Sequence, residues 1–148
     1  MRELTIIRDA WHDPSAGAHE KIKLAAPRAT LAKRRWRGTA ENGREFGFDL
    51  VHALGPGTLF HAEGDVHYYL AQEPEELLEI SLGSPEQSAR VGWALGNLHF
   101  PVQVLGHAVR VSNDIAVRQF LEREHIAYAK IIDVFLPLAG EISRHHHD

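Results

Sequence analysis

The segment Gly96-Asn97-Leu98-His99-Phe100-Pro101 has the residue types and spacing best suited to metal chemistry. His99 follows an apolar helical pattern and precedes a proline, in a connection too short to bury its own side chain. The carbonyl end of a helix carries partial negative charge, which favours a cation nearby. The segment therefore predicts an exposed imidazole that can bind metal. A histidine that only caps the helix or packs in the core is the alternative.

A second group of histidines lies at the end of the sequence, in Arg144-His145-His146-His147-Asp148. Histidine-rich tracts are typical of metal binding. A homodimer with His99 near its two-fold axis would bring two copies of this side chain face to face. With His145, His146 and His147 they could fill the coordination sphere of Ni(II), Cu(II) or Zn(II), which all accept imidazole. A purification-tag remnant is the alternative interpretation of the three terminal histidines.

Three histidines in the first half of the sequence, His52, His61 and His67, lie near Glu63 and Asp65. Histidine and carboxylate ligands are typical of a metal-dependent enzyme, here of the cupin kind. The paired His-x-His that would place two ligands on one face of a strand is missing, which argues against this interpretation.

Catalytic motifs are absent from the sequence. It contains no Ser-His-Asp order, no His-Glu-x-x-His helix and no Gly-x-x-x-x-Gly-Lys-Ser/Thr loop, so we expect a protein that is not an enzyme. A metal carrier needs exposed, exchangeable ligands, whereas a hydrolase needs fixed ligands and an activated water. Terminal histidines favour the carrier. A metal-dependent hydrolase with histidine and carboxylate ligands is one alternative, and a metal-independent β-domain interaction module is another.

The composition excludes several classes of partner and compartment. The chain has 148 residues, of which 44% are hydrophobic and 24% charged, as in ordinary globular proteins. Cysteine is absent, which excludes thiolate metal sites and agrees with a reducing compartment. The net charge of −4 provides no basic field for nucleic acid or an anionic membrane. Without a signal peptide or a long apolar stretch, we expect a cytoplasmic protein with neither partner.

The sequence pattern changes at Glu73-Pro74-Glu75-Glu76, where we place a domain boundary. Residues 1–73 alternate short β-rich pieces with Gly or Pro, and Asn42-Gly43 and Gly64-Asp65 predict hairpin turns. This half is predicted to be a small N-terminal all-β domain. It contains equal numbers of basic and acidic side chains, so the net charge lies on residues 74–148, where a cation would be attracted.

Residues 74–148 show two helical patterns between short strands. Ser84-Pro85-Glu86-Gln87 predicts a capping box at the start of the first helix. The second helix would bury Val117, Phe120 and Leu121, and Ala127 to Leu136 would form the final strand. The order strand, helix, strand, strand, helix, strand is the ferredoxin-like arrangement. We therefore predict an α+β protein, with an all-β domain followed by a ferredoxin-like βαββαβ metal-binding domain.

A run of basic residues, Lys33-Arg34-Arg35-Trp36-Arg37, is the main charge feature of the first half. Its alternation along a predicted strand would place Lys33, Arg35 and Arg37 on one face. A solvated edge strand is the usual meaning of such a pattern, and a surface for a partner protein is the functional alternative.

The segment from Gly96 to Pro101 resembles the Gly-Asn-x-His-x-Pro signature of the UreE family of urease accessory proteins. Val102-Gln103 follows it, as in many members of that family. Weaker matches to the family occur in the first half, at Lys33-Arg34-Arg35-Trp36-Arg37, Phe48-Asp49-Leu50, Gly57-Thr58-Leu59 and Gly64-Asp65.

This resemblance implies a homodimeric, cytoplasmic nickel metallochaperone that delivers Ni(II) for urease active-site assembly. His99 of each subunit would meet at the dimer interface, while His145, His146 and His147 would complete the site or store metal. Zn(II) and Cu(II) fit the same ligands. The partners would be the urease apoprotein complex and the accessory GTPase UreG. The N-terminal domain would bind a partner or peptide.

Overall fold

The computed structural model describes residues 3–12 and 20–138, and the chain divides into two units, Met1–Glu73 and Pro74–Asp148. The predicted ligands His145, His146 and His147 lie outside the described residues. Strands and helices are both present, so the predicted α+β class is confirmed. None of the helices in the described part of the chain is long and apolar enough to cross a membrane.

In residues 3–12 and 20–73, the first unit contains six strands and one turn of helix. In chain order the elements are β1 (Thr5–Ile7), β2 (Glu20–Ala26), α1 (Arg28–Leu31), β3 (Arg35–Thr39), β4 (Glu45–Asp49), β5 (Leu59–Glu63) and β6 (Val66–Gln72). They form two three-stranded sheets, in the orders β1-β4-β3 and β2-β6-β5. The helix α1 was not predicted. Its formation follows from Pro27, whose restricted φ suits a helix start, and from the burial of Leu31.

Both predicted hairpin turns of the first unit are confirmed. Strands β3 and β4 pair antiparallel around Gly43, and β5 and β6 pair antiparallel around Gly64. Both glycines have positive φ, 88° and 55°, which glycine adopts at little cost. Lys33 lies outside β3, because its N–H donates to Thr30 O at the end of α1. The prediction that it shares a strand face with Arg35 and Arg37 is therefore wrong.

Aromatic rings dominate the core of the first unit. The Phe46 ring contacts Phe60 and Tyr68, with centroid distances of 4.9 Å and 5.0 Å. Trp36 stacks on Phe48 at 4.1 Å. Such ring pairs add to the stabilisation that comes from burial alone.

The described part of the second unit, up to Leu138, contains four strands and two helices. In chain order these are β7 (Glu75–Ser81), α2 (Pro85–Asn97), β8 (Gln103–Val104), β9 (Ala108–Ser112), α3 (Ile115–Arg123) and β10 (Tyr128–Asp133). The strands form one antiparallel sheet in the order β10-β7-β9-β8. The order of elements along the chain is the predicted one. The residues predicted to be buried on α3, Val117, Phe120 and Leu121, are buried.

The helix starts follow the sequence signals with one difference. Gln87 N–H donates to Ser84 Oγ at 3.1 Å, and Ala116 N–H donates to Asp114 Oδ1 at 2.8 Å. The side chain of Gln87 accepts from Gly83 N–H at 2.7 Å. A complete capping box would have this side chain accept from Ser84 N–H instead. The cap therefore satisfies a donor one residue earlier than predicted.

Two predicted strand limits in the second unit are wrong. Glu75 and Glu76 belong to β7 rather than to an interruption, because both pair with β10 residues in the antiparallel register. The final strand ends at Asp133 rather than reaching Leu136. It ends there because Val134 N–H donates to the Asp133 side chain at 2.8 Å, and the chain then leaves the sheet.

Two glycines allow a matched test of the packing. A Cβ at Gly38 would lie 2.7 Å from Leu24 Cδ2 and 2.8 Å from the Trp36 ring, whereas one at Gly92 in α2 would meet nothing within 4 Å. We expect Gly38→Ala to lower the free energy of unfolding by about 1–3 kcal/mol through overpacking. Gly92→Ala should raise the free energy of unfolding by about 0.5–1 kcal/mol, because alanine lowers the backbone entropy of the unfolded chain. Urea unfolding measures both, and a neutral Gly38→Ala would contradict the close packing.

Candidate metal centre

His99 lies immediately beyond α2, exposed and in the left-handed backbone region with φ of 63°. Its N–H donates to Gly96 O at 3.0 Å, and Phe100 N–H donates to Leu95 O at 3.1 Å. These two hydrogen bonds form a Schellman motif, in which a left-handed residue ends the helix. The alternative that His99 packs in the core is therefore excluded, and its backbone completes the helix cap while its ring faces outward.

Glycine is the usual residue at the left-handed position of this motif, because a side chain there costs about 1–2 kcal/mol. His99 adopts this conformation although it is not glycine. The end of α3 is the same: His125 has φ of 57°, its N–H donates to Glu122 O, and Ile126 N–H donates to Leu121 O. Backbone geometry alone therefore does not distinguish the two exposed histidines. Any difference between them as metal ligands must come from their surroundings.

The surroundings of the two histidines differ in polarity. Exposed apolar side chains precede and follow His99 in the sequence: Trp93 on α2 is 71% exposed, and Leu98 in the connection and Val104 on β8 are also exposed. His125 instead follows Glu124, whose carboxylate lies 3.8 Å from Arg90. Exposed apolar side chains close together in the chain are typical of a protein interface. The His99 turn thus has the character of a contact surface, while His125 lies among charges.

The chain returns to the His99 connection after β10. We call residues 134–138 the strap. Leu136 N–H donates to Gln103 Oε1 at 3.1 Å, and Leu138 N–H donates to Val102 O at 2.7 Å. Phe135, between them and β10, is fully buried. The strap therefore runs from β10 at one edge of the sheet to β8 at the other. It ends hydrogen-bonded to Val102, which is three residues after His99 in the sequence.

No group of three or more His, Cys, Asp or Glu side chains in residues 3–12 and 20–138 is placed to hold a metal ion. His99 is thus one ligand candidate and not a complete site. His145, His146 and His147, the other predicted ligands, lie outside the described part of the chain. A metal at His99 would need ligands from that segment or from a second copy of the chain.

The histidines of the first unit do not form the cupin-like site. Strand register pairs His61 with Tyr68 and His67 with Ala62, so the two imidazoles lie on opposite faces of the sheet. The His61 Nε2 atom lies 3.2 Å from Glu63 Oε1. His67 is buried, and its Nε2 has no hydrogen-bond partner. The cupin-like interpretation is therefore wrong, because it needs these ligands on one side.

Glu63 is held by two partners in the first unit. Arg44 forms an ion pair with it, and His61 lies against its other carboxylate oxygen. The hydrogen bond from Arg44, followed by that from His61, lowers the pKa of Glu63 below its ordinary value of 4.5. Arg44 also donates to Thr5 Oγ1 at 2.8 Å, so the network connects β1 and β5 to the residue that precedes β4.

The lowered pKa of Glu63 predicts how acid weakens the fold. The carboxylate stabilises the folded state fully above pH 4.5, and this contribution is lost as the pH falls through the lower folded-state pKa. We expect Glu63→Gln to lower the free energy of unfolding near neutral pH and to make it less dependent on pH below 4.5. Urea unfolding at several pH values measures this. Glu20→Gln is the control, and equal acid sensitivity in native protein and Glu63→Gln would contradict the assignment.

Comparisons with known proteins agree with the motif. The family profile described as UreE urease accessory protein, C-terminal domain, matches residues 75–148. A urease accessory protein UreE from Corynebacterium efficiens is 29% identical over 145 residues, covering 96% of this chain and 97% of the relative. The UreE of Beijerinckia indica is 27% identical over 146 residues, covering 95% and 82%. That of Acinetobacter baylyi is 26% identical over 122 residues, covering 80% and 76%.

The family profile covers the whole second unit from the first residue of β7, including the exposed His99 and the strap. The relatives extend the similarity through the first unit, since two of them span at least 95% of this chain. The chain therefore belongs to the UreE family of urease accessory proteins.

Proposed function

We propose that this chain takes part in urease maturation as a carrier of Ni(II), bound between the His99 side chains of two subunits. The observation that carries the proposal is the exposed imidazole held outside α2 by the Schellman hydrogen bonds, within the family motif. An imidazole at the surface can take up and release an ion, as a carrier requires. Zn(II) and Cu(II) would fit the same ligands.

The proposed homodimer is supported by the exposed apolar residues around His99. Trp93 on α2, Leu98 just after it and Val104 on β8 are all exposed. A two-fold axis through such a surface buries the same side chains of both subunits and brings residues near the axis together in pairs. Because His99 lies in the middle of this surface along the sequence, its two copies would provide two ligands for one ion.

His145, His146 and His147 are proposed as the remaining ligands. The described chain ends at Leu138, whose N–H is bonded to Val102 close to the His99 turn. His145 is seven residues beyond Leu138, and a chain of seven residue steps spans up to about 25 Å. The terminal imidazoles are thus within reach of His99, and the net negative charge of residues 74–148 favours a cation there.

The two units are proposed to divide the work as separate domains, residues 1–73 and 74–148. The second would be a ferredoxin-like metal-binding domain, supported by the sheet order β10-β7-β9-β8 with one helix in each crossover. The first would bind a partner protein or peptide. The partners we propose are the urease apoprotein complex and the accessory GTPase UreG, encountered in the cytoplasm.

Two exposed histidines in the same backbone setting allow a matched test of the metal ligand. We expect His99→Ala to weaken Ni(II) affinity by at least about tenfold, because loss of even an outer-shell partner typically costs that much. His125→Ala changes a left-handed, helix-ending histidine in the same way and should leave affinity unchanged. Equilibrium dialysis measures both, with about one tightly bound ion per two chains in the native protein. Equal affinities in the two variants would refute the proposal.

The dimer surface can be tested with two equally exposed side chains. Trp93 on α2 and Ile132 on β10 are each 71% exposed. We expect Trp93→Arg to produce monomers, because the new charge would be buried at the interface. Ile132→Arg should remain dimeric. Sedimentation equilibrium distinguishes these states, and a dimeric Trp93→Arg would exclude the surface around His99.

A further inference from the structure

Basic side chains are concentrated in and just before β3 of the first unit. Residues 27–40 contain five basic residues and no acidic one, although residues 1–73 have equal numbers of each. Four of the five lie between Lys33 and Arg37, and all four are exposed. Like charges this close together repel one another unless anions lie among them. Neutralisation of this segment therefore depends on carboxylates from other parts of the sequence.

Asp49 on β4 provides one such carboxylate. Arg35 Nε donates to Asp49 Oδ1 at 3.1 Å, and Arg8 donates to Asp49 Oδ2 at 2.9 Å. Arg8 thus adds a further cation beside β3. Both arginine side chains remain largely exposed, and a guanidinium has more N–H donors than these single bonds use. Asp49 therefore holds two guanidiniums in place and leaves donors of both free.

The other cations of this segment have no such partner. Among the residues that the structure describes, the side chains of Lys33, Arg34 and Arg37 form no ion pair and no hydrogen bond. An open cavity of about 590 Å³ lies here, lined by Ala32, Lys33, Arg34, Arg35, Asp49 and Leu50. A concave surface with charges of one sign focuses the electric field and attracts ions of the opposite sign. The cavity is thus suited to anions beyond Asp49.

An exposed apolar side chain lies on the same side of the sheet as these cations. Ile6 on β1 is 47% exposed. Strand register pairs both Ile6 and Arg37 with Gly47 on β4, and directly paired residues share a face. Arg35 shares this face too, since it is two residues from Arg37 on β3. We define the basic face as this apolar side chain with the five cations: Ile6, Arg8, Lys33, Arg34, Arg35 and Arg37.

We propose that the basic face docks an acidic segment of a partner protein. This inference rests on the part of the proposed function in which the first unit binds a partner. Free guanidinium and ammonium donors are complementary to carboxylates, and Asp49 already makes this pairing within the chain. Ile6 favours a protein segment, whose apolar side chains can cover it, over a nucleic acid backbone.

Two cations of the basic face can be reversed without loss of a contact within the described chain. Lys33→Glu/Arg34→Glu is the reversal variant, and Lys33→Ala/Arg34→Ala removes the charges without reversing them. Neither side chain has an ion pair or hydrogen bond to lose, so we expect both variants to fold. Circular dichroism checks this.

The matched control places the same change of net charge elsewhere. Lys21→Glu/Arg123→Glu also reverses one lysine and one arginine, which lie on β2 and α3 and are exposed. In the described ranges these two side chains likewise have no ion pair or hydrogen bond. A difference between the reversal variant and this control therefore reports the location of the charge rather than its total.

Fluorescence anisotropy measures the binding of a labelled peptide that alternates glutamate and alanine. An exposed ion pair changes affinity by about 1.5-fold to fivefold, so the double alanine variant should bind between about twofold and 25-fold more weakly. The reversal variant adds repulsion and should lose at least about tenfold, while the control stays within about twofold. Affinity of the native protein should fall between about 0.1 M and 1 M salt, because the Debye length shortens from about 10 Å to about 3 Å.

Two further probes identify the occupant. A peptide in which glutamine replaces glutamate should bind weakly to every variant. If the native protein binds both peptides alike, or if the reversal and control variants lose equal affinity, the basic face is not a docking site for acidic segments. A single-stranded DNA oligonucleotide that displaces the peptide at lower concentration than unlabelled peptide does would overturn the choice of a protein segment.

Nickel binding separates this inference from the proposed metal carrier. Equilibrium dialysis with Ni(II) chloride should give the same affinity for the reversal variant and the native protein. His99→Ala should bind the glutamate peptide as the native protein does. Loss of peptide binding with intact nickel binding refutes the docking site alone. A native chain that binds the peptide but not nickel refutes the carrier and supports the docking site.

Discussion

The left-handed backbone at His99 is the constraint on which the candidate metal centre depends. Two hydrogen bonds, from His99 N–H to Gly96 O and from Phe100 N–H to Leu95 O, end α2 and turn the chain away from its axis. Because Leu95 is fully buried in the core, this end of the helix is fixed to the sheet below it. The imidazole is held at the surface although its backbone belongs to a rigid cap. A ligand in such a position is preorganised without being buried.

The sheet order supplies the second constraint. In β10-β7-β9-β8 the last strand of the unit and the strand after His99 lie at opposite edges. A chain that ended at β10 would begin its terminal segment far from His99. The strap crosses this distance, anchored by the burial of Phe135 and by hydrogen bonds from Val134 N–H to Asp133 and from Leu136 N–H to Gln103. The return of Leu138 to Val102, close in the chain to His99, is thus a property of the fold and not of spacing in sequence.

The histidines of the first unit, which suggested a metal-dependent enzyme in the sequence, have structural roles in the fold. His61 lies against the carboxylate that also pairs with Arg44, and His67 is buried on the opposite face of the same hairpin. The ion pair of Arg44 with Glu63 contributes to the stability of the unit, and Glu63 is then less available as a metal ligand. The metal-dependent enzyme suggested by these residues therefore has no support in the geometry.

The sequence by itself determined the α+β class, the hairpin turns at Gly43 and Gly64, the helix start at Ser84 and the motif histidine, because each depends on residues close together in the chain. The strand limit at Asp133 and the turn of helix after Pro27 were missed, since the ion pair of Asp133 with Arg110 and the burial of Leu31 form only on folding. Tertiary structure alone placed His61 and His67 on opposite faces and brought Leu138 back to Val102. Strand pairing joins residues distant in sequence, and no local pattern encodes which edge a chain returns to.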